Sequence, residues 1–164
     1  MRIAAVIAGV LLMATFRSAL ADAPATQPAK VLEGIESALK MVPSGVLPTR
    51  PEEWTVAKRD VANSAFDQKV KGQRLKIHIK VSGVGKDGED YVVAAEMVPT
   101  PIFNAAIDVH FTKENALDVA RLTVGDEITV VGQVSVMSFD DQSPTPELGC
   151  VLLDCGIVKE RAGR

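Results

Sequence analysis

Residues 122–158 are the stretch that most constrains this chain. Within them Ile128, Val130, Val134 and Val136 alternate with Thr129, Val131, Gln133 and Ser135, and Val151, Leu153, Cys155 and Ile157 recur at every second position further on. Successive side chains of a strand point to opposite faces, so this period of two predicts two β-strands, each with one continuous apolar face. Gly132 interrupts the first, as glycine does at a bulge or barrel corner. Between the two strands, residues 140–146 form a polar loop with two prolines and are expected to be mobile.

The rest of the chain supplies three more strands and a helix. Leu75, Ile77, Ile79 and Val81 alternate with Arg74, Lys76, His78 and Lys80, the cleanest alternation in the sequence. Residues 83–88 are glycine-rich and contain Asp87-Gly88, a hairpin signal. They satisfy G-x-G-x-x-G formally, but a dinucleotide site needs a helix next, and Tyr91, Val93, Ala95 and Met97 read as a strand. Pro99 and Pro101 end it. Ile107, Val109 and Phe111 alternate with Asp108 and His110 in a third strand. Thr112 is placed to cap a helix over 113–121, with Ala116, Leu117 and Ala120 on its buried side. The order is β-β-β-α-β-β, that of the five-stranded Greek-key barrel known as the OB-fold. The expected fold is mainly β, with a barrel over 73–158, a helix between its third and fourth strands and a preceding helix over 50–70. For that preceding helix, Thr49 and Glu52 form a capping box and Pro51 sits in the first turn. Trp54, Ala57, Val61 and Ala65 recur along it, with Trp54 as a packing anchor.

The N-terminus reads as a targeting segment. Met1-Arg2 precedes an uncharged apolar run over 3–16, shorter than the roughly 20 residues of a spanning helix, and Ala19-Leu20-Ala21 fits a signal-peptide cleavage site. Residues 1–21 are thus expected to be removed, leaving Asp22 first, no transmembrane segment, and a periplasmic or secreted protein. No cysteine follows the site, which disfavours a lipid anchor. Residues 22–48 read as a Pro/Ala-rich linker followed by a short helix over 31–42, the OB domain as 49–160, and 161–164 as a tail.

Loss of Arg2 and Arg17 leaves 16 of the 18 basic residues against 21 acidic ones, a formal charge of −5. Such a chain is repelled by nucleic acid at long range. Aromatic residues for stacking bases are few: Trp54, Tyr91 and five phenylalanines. Basic residues concentrate in one half of the chain, acidic ones in the other.

Cys150 and Cys155 would meet an oxidising compartment. On one regular strand they face opposite ways, roughly 16 Å apart at about 3.3 Å per residue, whereas a disulfide requires Cα atoms within about 7 Å. Cys155 is expected buried. Cys150 is left open, including to pairing between chains. Neither cysteine has the partners of a zinc site. His78 and His110 are expected on the surface, with no nucleophile or orienting group beside them. A metal shared by the two histidines and Asp108 is not expected, nor is a cofactor.

Three segments resemble the tRNA-anticodon-like OB-fold family of exported bacterial proteins and lipoproteins. They are Lys71-Gly72-Gln73 entering a strand that ends near Ser82-Gly83-Val84; Val124-Gly125-Asp126 leading into Ile128-Thr129-Val130-Val131-Gly132; and Leu152-Leu153-Asp154-Cys155-Gly156-Ile157. The likeness spans about residues 55–158. Val70 stands where the family pattern has an aromatic, and Gln73 where it has a second lysine. The resemblance implies an OB-type barrel in an exported protein and, through the family name, nucleic-acid binding. The matching residues are structural.

The candidate ligand-binding residues are the basic ridge Arg74, Lys76, His78 and Lys80, with Tyr91 as the nearby aromatic. Loops and the face of strands two and three commonly take ligands in OB-folds. The competing reading of the ridge is a solvated strand kept soluble by lysine and guarded against edge pairing. The expected function is therefore an exported, non-catalytic binding module whose partner is an envelope protein or glycan. The alternative is a domain that binds single-stranded nucleic acid. A hydrolytic or metal-dependent enzyme would need a convergent set of His, Asp and Glu that the sequence does not display.

Overall fold

The computed structural model describes residues 31–100, 102–140 and 146–159. The signal segment, the linker over 22–30, most of the 140–146 loop and the tail over 161–164 lie outside these residues. In order, the elements are β1 (Val31–Glu33), α1 (Gly34–Leu39), a 3-10 turn (Pro51–Glu53), α2 (Val56–Lys69), β2 (Arg74–Asp87), β3 (Asp90–Ala95), β4 (Val98–Pro99), β5 (Asn104–Phe111), a second 3-10 turn (Lys113–Asn115), α3 (Ala116–Val119), β6 (Glu127–Phe139) and β7 (Glu147–Ile157).

Five of the strands close a barrel. They neighbour one another in the order β2-β3-β5-β7-β6, and β6 pairs back onto β2. All these pairings are antiparallel except β5 with β7, which is parallel. This is the OB-fold. Its interior is filled by the alternating apolar residues of every strand, among them Leu75, Ile79, Val81, Val93, Ile107, Val109, Phe111, Val130, Leu148 and Leu152, each no more than 2% exposed. Closure gives these backbone groups ladder partners on both sides and removes most of the exposed edge.

Two of the expected apolar faces change phase part-way along. The β6–β7 register shifts between Val134 and Val136 and again between Val131 and Gln133. The first shift places an extra residue, Ser135, on β6. Beyond it Met137 and Phe139 point inward, and Val136, expected inside, is 47% exposed. The second places the extra residue on β7, at Asp154, whose φ is 51°. Leu148, Cys150 and Leu152 are the inward residues before that bulge and Cys155 after it, whereas Val151 and Leu153 are only half-buried. A bulge moves every later side chain to the other face. The odd-numbered face expected for this strand therefore holds only from Cys155 onward.

The helices differ more. The segment over 31–42 begins as β1, which pairs in parallel with Arg74–Lys76 of β2, and only Gly34–Leu39 is helical. Leu32, Ala38 and Val42 are buried there. An available sheet edge outweighs the helical spacing because it satisfies β1's backbone in place of water. Thr49 caps no α-helix. Its N–H donates to Glu53 at 3.1 Å around the 3-10 turn, and α2 starts six residues later, where the Thr55 hydroxyl accepts from the Lys58 N–H at 3.2 Å. Trp54 anchors the barrel end as expected, its ring 4.5 Å from that of Phe139, with Phe66 and Phe103 also against Phe139. The helix expected over 113–121 is a 3-10 turn followed by one turn of α3. Its buried residue is Val119, and Leu117 is 76% exposed. None of the helices among the described residues is long and apolar enough to cross a membrane.

Candidate ligand-binding surface

The ridge lies on the outer surface of the barrel. Arg74, His78 and Lys80 are exposed and Lys76 is half-buried, alternating with the core residues Leu75, Ile77 and Ile79. Its surroundings were not visible in the sequence. Residues 74–80 pair with β6 in full, and residues 74–76 also pair with β1, so Lys76 lies within the sheet and guards no edge, whereas residues 77–80 have β6 as their one strand partner among the described residues.

Carboxylates from three other elements meet the ridge. Glu33 of β1 is 3.4 Å from Lys76. Glu127 of β6 is 3.6 Å from Nε2 of His78. Glu96, just past β3, is 2.8 Å from Lys80, and this hydrogen bond and its charge hold the Lys80 ammonium above its usual pKa. Thr129, directly across from His78, places its hydroxyl 3.1 Å from Nδ1. Of the four ridge residues, Arg74 alone makes no ion pair with a described residue. Each pair is solvated and contributes little to stability, but together they neutralise the positive field the sequence suggested.

Tyr91 is not beside the ridge. It sits on β3 opposite Lys86, beyond the far end of the ridge segment, and faces Phe111 on β5. Its half-buried ring lies 5.8 Å from the Lys86 ammonium. Structure thus separates the five candidate residues into a charge-matched stripe and a packing tyrosine.

The more open surface is the outer face of the β2–β3–β5 sheet. Gly83, Gly85, Val92 and Ala94 floor a shallow depression of about 460 Å³, with Asp87, Asp108 and His110 around it. Val92 lies opposite His110 and Ala94 opposite Asp108. Among the described residues, no phenylalanine, tyrosine or tryptophan lines this depression. His78 and His110 lie in different depressions, and among the described residues no three His, Cys, Asp or Glu side chains gather as a metal site would require. The sequence analysis pointed to the face of strands two and three, here β3 and β5, but singled out none of the residues on this floor, because glycine, alanine and valine have no chemical signature of their own.

Both cysteines are free and buried, each 1% exposed. Burial leaves Cys150 no surface for pairing between chains. Burial also pushes the Cys150 thiol up to about 12, helped by the charge of Asp108. The Cys155 thiol is likewise raised to about 12 by burial, despite a hydrogen bond from the His110 backbone N–H. Thiols held protonated in this way are poor nucleophiles.

No protein-family profile matches the chain. No curated protein matches it either. Several solved structures do. One is a lipoprotein from Klebsiella pneumoniae, provisionally described as nucleic-acid-binding, at 16% identity and TM-score 0.43 over 80% of this chain and 92% of that one. Another is the OBody AM3L09 bound to hen egg-white lysozyme, at 14% identity and TM-score 0.37 over 56% of this chain and 86% of that one. A third is aspartyl-tRNA synthetase from Entamoeba histolytica, at 14% identity and TM-score 0.36 over 70% of this chain and 22% of that one. The match therefore spans about a fifth of that synthetase. It is the strand order and register described above that make the present chain an OB-fold.

Proposed function

We propose that this protein is an exported, non-catalytic binding module of the cell envelope, allied to the tRNA-anticodon-like OB proteins, whose partner is an envelope protein or glycan. The observation that carries the reading is the pairing of Lys76, His78 and Lys80 with Glu33, Glu127 and Glu96. A nucleic acid gains affinity when unmatched protein cations neutralise its phosphates and release the counterions condensed on them. Here it would have to displace protein carboxylates first, and among the described residues the open outer face offers it no phenylalanine, tyrosine or tryptophan to stack on.

The test is fluorescence anisotropy with a short single-stranded oligothymidylate, at low and moderate salt, on the mature protein and on Lys76→Glu/Lys80→Glu. The expected result is no saturable binding even at low salt, where electrostatics is strongest. Saturable binding that weakens with salt and in the double variant would overturn this reading in favour of single-stranded nucleic-acid recognition. Export is checked separately. N-terminal sequencing of protein recovered from outside the cytoplasm should begin at Asp22.

A further inference from the structure

β2 outlasts its partners on one side. β6 pairs with it only as far as Lys80, and the backbone groups of Val81 are taken by Gly125 and Asp126. From Ser82 to Asp87 its strand partner among the described residues is β3 alone. The hairpin has a two-residue turn, Gly88-Glu89, with Gly88 at φ 59°, so Asp87 and Asp90 are its closing, mutually hydrogen-bonded pair. Hydrogen-bonded and non-hydrogen-bonded pairs alternate along an antiparallel ladder. Gly85 with Val92 is then hydrogen-bonded, and Val84 and Lys86 turn their N–H and C=O toward the open edge. Gly83 and Gly85 flank Val84 without side chains, and nothing lies within 4 Å of where their Cβ atoms would stand, so neither obstructs a backbone that settles beside Val84 at strand spacing, about 4.8 Å.

The charge beside this edge is uneven. Asp87 and Asp90 face each other directly, and like charges in that position are destabilising. Asp108 is exposed on the same outer face. Asp87, Asp90 and Asp108 make no ion pair among the described residues. Lys86, which also lines this depression, holds its ammonium 5.8 Å from the Tyr91 ring, so three carboxylates stand beside one cation here.

We infer that Ser82–Asp87 is a strand-addition site for an extended, basic segment of a partner protein. The inference deepens the binding-module reading and rests on it. The incoming strand hydrogen-bonds to Val84 and Lys86, and it sets a lysine or arginine about 5 Å across from Asp87, where the cation offsets the Asp87–Asp90 repulsion. Main-chain bonds supply affinity in such additions, and alternate side chains supply specificity.

The probe is a fluorescein-labelled peptide alternating lysine and valine, compared with its glutamate–valine counterpart. The mature protein should bind the lysine peptide saturably and the glutamate peptide at least about tenfold more weakly. Val84→Pro removes an outward N–H without touching the β3 ladder and should reduce affinity about tenfold, the loss of roughly 1.4 kcal/mol, with an unchanged circular dichroism spectrum. Asp87→Asn should weaken binding and flatten its salt dependence. Amide shift changes centred on Val84 and Lys86 in the unmutated protein would support the site without a variant. Equal binding by Val84→Pro, or shift changes confined to other elements, would overturn the strand-addition site while leaving the binding-module reading intact. Failure of the unmutated protein to bind the lysine peptide would also overturn it, and the module reading would then be judged by the oligonucleotide measurement alone.

Discussion

Asn63 of α2 hydrogen-bonds both backbone groups of Phe139 in β6. Its amide donates to the Phe139 carbonyl at 3.2 Å, and its carbonyl accepts from the Phe139 N–H at 2.8 Å. A side-chain amide thus stands in for a neighbouring strand at the last residue of β6, just before the loop to β7. It locks α2 to the barrel beside the aromatic cluster of Trp54, Phe66, Phe103 and Phe139. Asn63→Ala leaves a part-buried N–H without its partner and should cost about 1–3 kcal/mol. Asn63→Asp keeps the acceptor and loses the donor, so it should fall between the two. Urea unfolding of the three proteins checks the order.

Gly132 lies against Cys155. A Cβ at position 132 would sit 2.1 Å from the Cys155 sulfur and 3.1 Å from both the Leu152 Cβ and the Leu153 carbonyl oxygen. Gly132→Ala should therefore destabilise the barrel by about 1–3 kcal/mol through overpacking. Adding Cys155→Ala removes the sulfur but not the backbone contact, so the double variant should recover part of the loss. A double-mutant cycle by thermal or chemical unfolding reads this coupling.

The cysteines set an alkaline limit. Their folded pKa values, about 12, lie above the ordinary thiol value of 9.0. The folded state thus holds protons that the unfolded chain releases first. Their stabilising contribution is full below about 9 and is lost as pH rises toward about 12. Unfolding free energy should fall across that window, and Cys150→Ala/Cys155→Ala should reduce the slope. Lys80, raised by Glu96, acts in the same direction above the ordinary lysine value of 10.5. In the native state near neutral pH neither thiol should react with a thiol reagent until denaturant is added.

Thr55 is the N-cap of α2. Thr55→Ala should cost about 1 kcal/mol, whereas Thr49→Ala, which touches only an exposed 3-10 turn, should stay within about 0.5 kcal/mol. Comparing the two variants by thermal unfolding separates the helix start seen in the structure from the one implied by the capping-box pattern.

Much of the barrel was legible because period-two alternation is local. Leu75 through Val81 and Ile107 through Phe111 each carry their own in-or-out assignment, and Asp87-Gly88 marks its own turn. From these runs and their order the sequence by itself determined a five-stranded OB barrel with its core on the expected residues of β2 and β5. Tertiary structure decided what depends on a second segment. The bulges at Ser135 and Asp154 arise from the pairing of β6 with β7, and they send Val136 outward while bringing both cysteines inside. β1 exists because β2 offers it an edge. The ridge on β2 reads as three cations and a histidine in a row, yet Glu33, Glu96 and Glu127 reach it from 43 residues upstream to 49 residues downstream of their partners. Charge matching at such separations is set by the folded geometry, because Coulomb attraction depends on distance in space and not along the chain.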